Sequence, residues 1–174
     1  MSRIRGSLDI ERPVEVVFDV LADQRNEPRY NPRMTSSIKL TDGPIGAGTR
    51  FEATVVGRGK PLPVTIEYTQ FERPRVIASR SVMAGAVAQG QLRCDPISAG
   101  TRLSWDWTVT VAGPAKLAGP LITVIGRRQE RSIWTGLKHH LEDDRPATSG
   151  DAPTDESATS TKPRPETGGA DPSG

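Results

Sequence analysis

Few residues in this chain have the type and spacing to do chemistry, and they are aromatic and polar rather than nucleophilic. Trp105 and Trp107 stand two apart in an alternating run over residues 101–112. Leu103, Trp105, Trp107, Val109 and Val111 share one face of it, and Arg102, Ser104, Asp106, Thr108 and Thr110 the other. Two indoles on a buried face are either core aromatics or one wall of a ligand pocket, where each offers area and an N–H. The strands expected beside them carry small residues at alternate positions: Ser79 and Ser81 between Ile77 and Met83 on one, Ala88 and Gly90 before Leu92 and Cys94 on the next. Small side chains facing large ones leave volume that must be filled or wetted. Phe51 and Tyr68 belong to the apolar faces of two further alternating runs. Gln129 breaks a helical stripe formed with Ile122, Ile125 and Ile133. A buried amide needs hydrogen-bond partners. Ser79, Ser81, a water or a ligand could supply them, or Gln129 marks the place where a cavity opens to solvent. These residues together are the candidate ligand-binding set.

The chain contains no nucleophile–base pair, phosphate-binding glycine loop, dinucleotide fingerprint or Cys/His cluster. No catalytic residue, metal ligand or cofactor is assigned. An enzyme would have to work by cavity positioning with one or two polar groups, such as Tyr68 and Gln129. His139 and His140 complement a helix C-terminus and lack a third ligand at metal spacing. Cys94 reads as a small buried hydrophobe, and Asp106 as a solvated face residue. Asp19, Asp23 and Glu27, at i, i+4 spacing, read as a solvated helix face, with an acidic rim as the alternative. Arg127, Arg128 and Arg131 either rim a cavity mouth or serve solubility.

The elements that must position these residues follow from periodicity. Ile4, Leu8 and Ile10 alternate with Arg3, Arg5 and Asp9 as a half-buried strand. Pro13 opens a helix with the stripe Val14, Val17, Phe18 and Leu21. A short helical turn over 23–29 follows. Strands are predicted over 36–40, 49–57, 62–69, 76–83, 86–94 and 101–112, separated by hairpin-length turns. Residues 117–141 then form the one long helix. Gly136 is unfavourable within it by about 1 kcal/mol relative to Ala, and close approach to the sheet is the expected reason. The economical arrangement is α+β: a curved antiparallel sheet of six or seven strands wrapped around the long C-terminal helix.

Several stretches resemble the START/Bet v 1-type (SRPBCC) superfamily, in particular its bacterial polyketide cyclase/dehydrase-like branch. They are Arg12-Pro13-Val14-Glu15-Val16-Val17-Phe18 at the entry to the first helix and the turn Pro28-Arg29-Tyr30-Asn31-Pro32, with Tyr where Trp is common. Gly48-Thr49-Arg50-Phe51, Phe71-Glu72-Arg73-Pro74-Arg75 and Gly100-Thr101-Arg102-Leu103-Ser104-Trp105 resemble its hairpin signatures. Leu137-Lys138-His139-His140-Leu141-Glu142 resembles the end of its last helix. The match runs over residues 1–142. It implies a helix-grip fold with an apolar cavity between sheet and last helix, and alignment of residues 75–80 with its hairpin turns Ile77, Ser79, Ser81 and Met83 inward. Members bind lipids, polyketides, hormones or proteins, so the fold alone does not settle the function. A shorter similarity, Val111-Ala112-Gly113-Pro114-Ala115 with Gly119-Pro120, resembles a branch of toxin-like members of toxin–antitoxin pairs.

Composition bounds the rest. The chain has 174 residues. Residues 146–174 contain no large apolar or aromatic side chain, so a domain over 1–145 and a disordered polar tail over 146–174 are expected. Two basic against five acidic residues give the tail a net charge of −3, which leaves 1–145 at about +5. That balance does not call for a nucleic-acid partner. A lone cysteine excludes an internal disulfide. The N-terminus lacks a signal-like apolar run, and no stretch is long enough to span a bilayer. A cytoplasmic, soluble protein is expected. Its expected partner is a hydrophobic small molecule such as a lipid, isoprenoid or polyketide. The alternatives are an aromatase/cyclase-like enzyme on a polyketide and a toxin-like or protein-interaction member.

Overall fold

The structure is a computed structural model, and it describes residues 1–56, 60–112 and 119–143, with the side chains of 119–127 outside that description. The elements run β1 (Ser2–Ile10), α1 (Val14–Ala22), a 3-10 helix (Gln24–Arg29), β2 (Met34–Lys39), β3 (Arg50–Val56), β4 (Pro61–Glu72), β5 (Val76–Met83), β6 (Ala86–Ile97), β7 (Gly100–Val111) and α2 (Gly119–Asp143). The strands form one curved antiparallel sheet in the order β1-β7-β6-β5-β4-β3-β2, and α2 closes it as a helix-grip fold. The expected tail and Ala118 lie outside the described residues. Among the described residues no helix is long and apolar enough to cross a membrane.

Most strands obey the alternation of their sequence. Ala84-Gly85 joins β5 to β6 as a two-residue hairpin with Met83 paired to Ala86. Gly85 takes φ +76, which glycine accepts without a steric penalty. β4 differs from the expected run in two ways. It begins at Pro61, since Leu62 already pairs with Val55. It also carries a register shift between Tyr68 and Gln70. One extra residue there lets Tyr68 and Phe71 both turn inward despite being three apart. Their rings lie 6.1 Å apart, and Phe18 of α1 meets Phe71 at 5.3 Å.

The outer sheet face is charged. Arg3 Nε donates to Asp106 Oδ1 at 2.8 Å, and Arg102 Nε to Asp9 Oδ1 at 2.8 Å, both between β1 and β7. Such exposed pairs contribute little, on the order of 0–1 kcal/mol each. The core lies on the inner face, where Ile10, Val17, Phe18, Leu21, Phe51, Tyr68, Leu103 and Leu137 are fully buried.

α2 is held at its C-terminal half. Lys138 Nζ donates to the Asp9 carbonyl at 2.7 Å, and the Glu11 N–H to Glu142 Oε1 at 2.8 Å. Gly136 does allow a close approach, but not to the sheet. A Cβ at this position would strike the Tyr30 carbonyl oxygen, in the turn that follows the 3-10 helix. The glycine therefore seats α2 on that turn. The reason is positional: the turn lies between α2 and the far edge of the sheet, and local sequence does not reveal which neighbour a helix glycine will meet.

Candidate functional site

Strand register places the inward residues in transverse rows. Ile4, Trp107, Gly90, Ser79 and Tyr68 form one row across β1, β7, β6, β5 and β4. Ser2, Val109, Ala88, Ser81, Ile66 and Phe51 form the next. Within the first row the Trp107 ring occupies the space that Gly90 leaves, and a Cβ at Gly90 would collide with that ring and with the Asp106 carbonyl. Gly6 does the same for Trp105.

The candidate residues fall along a gradient of burial. Phe51, Tyr68, Ser79, Trp105 and Ile133 are buried, whereas Ser81, Ala88, Gly90, Trp107 and Gln129 are half-buried. The Ile122 and Ile125 side chains lie outside the described residues. The interior is thus packed toward Leu103 and Leu137 and looser toward Ser81, Ala88 and Val109.

The inner stripe of α2 is rotated from the expected one. At about 100° per residue, Leu141, Ile133, Trp134 and Glu130 all fall within roughly 60° of Leu137, while Gln129 is roughly 80° away. Ile133, Trp134, Leu137 and Leu141 are buried. Gln129 stands instead in a surface cleft of about 300 Å3, with Arg33, Arg128, Ser132 and Ile133 among its walls. Of its two readings, the opening to solvent is the one the geometry supports.

Glu130 is the polar group on the inner stripe. Its Oε2 accepts the Trp134 indole N–H at 2.9 Å, and the Trp134 ring lies 5.8 Å from that of Trp105. Trp107 Nε1, from the sheet, is enclosed and makes no hydrogen bond of normal geometry. Its N–H nevertheless acts on the Glu130 carboxylate and lowers its pKa. Dehydration outweighs this, and with help from the negative charge of Glu27 it lifts Glu130 to about 7.

Glu27 does not lie on a solvated face as expected. It sits in the 3-10 helix, where Oε1 accepts from Asn31 Nδ2 at 2.7 Å, and dehydration raises it to about 6. Both residues are half-buried, and dehydration is the main influence on each carboxyl. The other two acids of that series are on the surface. Asp19 pairs with Arg73 at 2.7 Å, and Asp23 caps the 3-10 helix and pairs with Arg25.

Tyr30 and Tyr68 are buried near Glu27. Burial pushes both phenols above their usual range. Tyr68 donates its O–H to the Ala22 carbonyl at 2.9 Å, so this hydroxyl is a fold contact at the packed end, remote in character from the cleft that holds Gln129. Gln24 Oε1 is a second enclosed atom without a partner. Cys94 is buried, with its thiol pushed up to about 12 by dehydration, and is inert. Glu130, Trp134 and Gln24 are the residues sequence reasoning missed, and Glu27 is one it placed on a solvated face. The spacing 130, 134, 137, 141 would have flagged the first two had the stripe been centred on its leucines.

Comparison with known proteins agrees with this architecture. Residues 1–142 match the family described as polyketide cyclase / dehydrase and lipid transport. An uncharacterized protein of Mycobacterium tuberculosis, Rv2574, is 30% identical over 135 residues, covering 74% of this chain and 80% of its own. The ZhuI aromatase/cyclase from a Streptomyces species superposes with a TM-score of 0.69 at 19% identity, over 86% of this chain and 98% of that one. A START superfamily protein from Mycobacterium smegmatis gives 0.70 at 14% identity, over 82% and 99%. At such identities the two structures speak to the fold alone.

Proposed function

Because the chain belongs to the polyketide cyclase / dehydrase and lipid transport family, we propose that it binds a hydrophobic small molecule between the inner sheet face and α2. The observation that carries this reading is the half-buried inner surface around Trp107, Ala88 and Ser81, beside the enclosed Trp107 Nε1, which makes no hydrogen bond of normal geometry. An unpaired buried polar atom costs about 1–3 kcal/mol, and a ligand or water in the adjoining space removes that cost. The small side chains at 81, 88 and 90 supply volume, and the indoles supply apolar area. Gln129, with Arg33 and Arg128, lines the outer cleft by which such a molecule would enter.

All three tryptophans of the chain, Trp105, Trp107 and Trp134, line or adjoin this interior. Intrinsic fluorescence is therefore a direct reporter. Protein purified from its own host is expected to carry a small molecule by native mass spectrometry, and stripped protein to show saturable changes in indole emission with apolar ligands. No carried ligand together with no emission change would refute the reading.

A second reading, an aromatase/cyclase-like enzyme, is favoured by Glu130, whose pKa near 7 suits proton transfer at neutral pH. In it Glu130, rather than the pair Tyr68 and Gln129, moves the proton, and the Trp107 N–H faces a carbonyl oxygen. Loss of polyketide turnover in Glu130→Gln, with ligand binding retained, is the expected result. Unchanged turnover would remove the role.

A further inference from the structure

Arg33 and Arg128 line the same surface cleft of about 300 Å3, which lies between the turn after the 3-10 helix and α2. Arg33 is anchored there. Its Nη2 donates to the Val56 carbonyl at 3.0 Å, its backbone N–H to Asn31 Oδ1 at 3.0 Å, and its carbonyl accepts from the Val56 N–H at 2.7 Å. A guanidinium has five N–H donors, so one bond to Val56 holds it at the wall with donors to spare. A side chain already held in this way loses less freedom when a ligand binds. Gln129 and Ser132 add an amide and a hydroxyl to the same walls.

No acid is among the walls. Glu27 accepts from Asn31 Nδ2 at 2.7 Å, and Glu130 is turned to the inner stripe of α2, where it accepts from Trp134. Among the described residues, neither Arg33 nor Arg128 belongs to an ion pair. Residues 57–59 and 113–127, whose side chains lie outside that description, contain no Asp or Glu. Two guanidiniums in one cleft suit an oxyanion, which they meet through paired, charge-assisted N–H···O bonds. The cleft also has an apolar end. Ile133 is one of its walls and is buried on the inner stripe with Leu137 and Leu141.

We propose that the cleft receives an oxyanion, a carboxylate or a phosphate, carried on the end of the hydrophobic ligand. The charged end meets Arg33 and Arg128, and the apolar body runs past Ile133 toward the inner sheet face. This rests on the proposed binding role and names the ligand class.

The test is isothermal titration of the full chain at neutral pH and low salt with 1-octanol, octanoate, octyl phosphate and inorganic phosphate, alongside indole emission. Octanoate and octyl phosphate are expected to bind at least about tenfold more tightly than 1-octanol. The margin should shrink at high salt, because both arginines are exposed. Arg128→Gln should reduce the margin, and the Arg33→Gln/Arg128→Gln double variant should abolish it. Both should keep 1-octanol binding, which also reports that they are folded. If loss of the Val56 anchor unfolds the double variant, Arg128→Gln, at an exposed position, decides the matter. Equal or tighter binding of 1-octanol to the wild type overturns the oxyanion and leaves the cavity reading standing. The same result would follow if an acidic segment of the chain itself filled the cleft. A margin undiminished in Arg128→Gln also overturns the proposal. Inorganic phosphate binding as tightly as octyl phosphate would reveal a site for free anions and overturn the amphiphile. No response to any probe counts against both the oxyanion and the cavity.

Discussion

Glu130 shows how one buried acid links stability to function. Its pKa is raised from the usual 4.5 to about 7, first by dehydration. Between those values the folded chain holds more protons than the unfolded one, so raising pH through this window costs stability. The cost is absent below 4.5 and complete above about 7. Glu130→Gln keeps an acceptor for the Trp134 N–H and removes the charge. At pH 8, without ligand, the variant is expected to be more stable than the wild type by roughly 1–3 kcal/mol, and the difference should vanish near pH 4. Urea unfolding at the two pH values measures this, and equal or lower stability of the variant at pH 8 would contradict it. Glu27, raised to about 6, adds a smaller effect of the same sign. The sequence made Gln129 conspicuous because an amide interrupts isoleucines, and it left Glu130 unremarked because a glutamate in a helix is ordinary. Which of two adjacent residues points inward depends on the rotation of the helix, and packing against the turn at Tyr30 sets that rotation.

Among the elements, α2 and the segment around Tyr30 act together. Gly136 brings the helix against the Tyr30 carbonyl, and the buried Tyr30 ring stacks with His140 of the same helix. On a free helix surface Gly→Ala stabilises by about 1 kcal/mol. Here the added Cβ meets backbone, so Gly136→Ala is expected to destabilise by about 1–3 kcal/mol. A fall in melting temperature is the predicted sign, and a rise would show that the contact yields cheaply. In the sheet, Gly6 leaves the space taken by the Trp105 ring. Gly6→Ala should displace that indole and shift the emission spectrum more than it lowers the melting temperature. The glycines were visible in the sequence as anomalies, but their contacts were not, because each partner comes from another element.

For the whole molecule, residues 146–174 contain no large apolar or aromatic side chain. Truncation after Asp144 is expected to leave the melting temperature unchanged, and a loss of several degrees would show that the tail docks. The sequence by itself determined the order of the elements, the antiparallel pairing of hairpin-spaced strands and the shared face of Leu103, Trp105, Trp107, Val109 and Val111. Those features follow from a period of two and from short turns, which are local properties. It also carried the family resemblance across residues 1–142, which the family match reproduces. Only the tertiary structure decided the bulge that turns Tyr68 and Phe71 to one side, the inward placement of Glu27, and the meeting of Glu130 with Trp134 and Trp107. These depend on the rotation of α2 and on where the 3-10 helix rests beneath it. Both are outcomes of packing between segments about a hundred residues apart, and no local period records them.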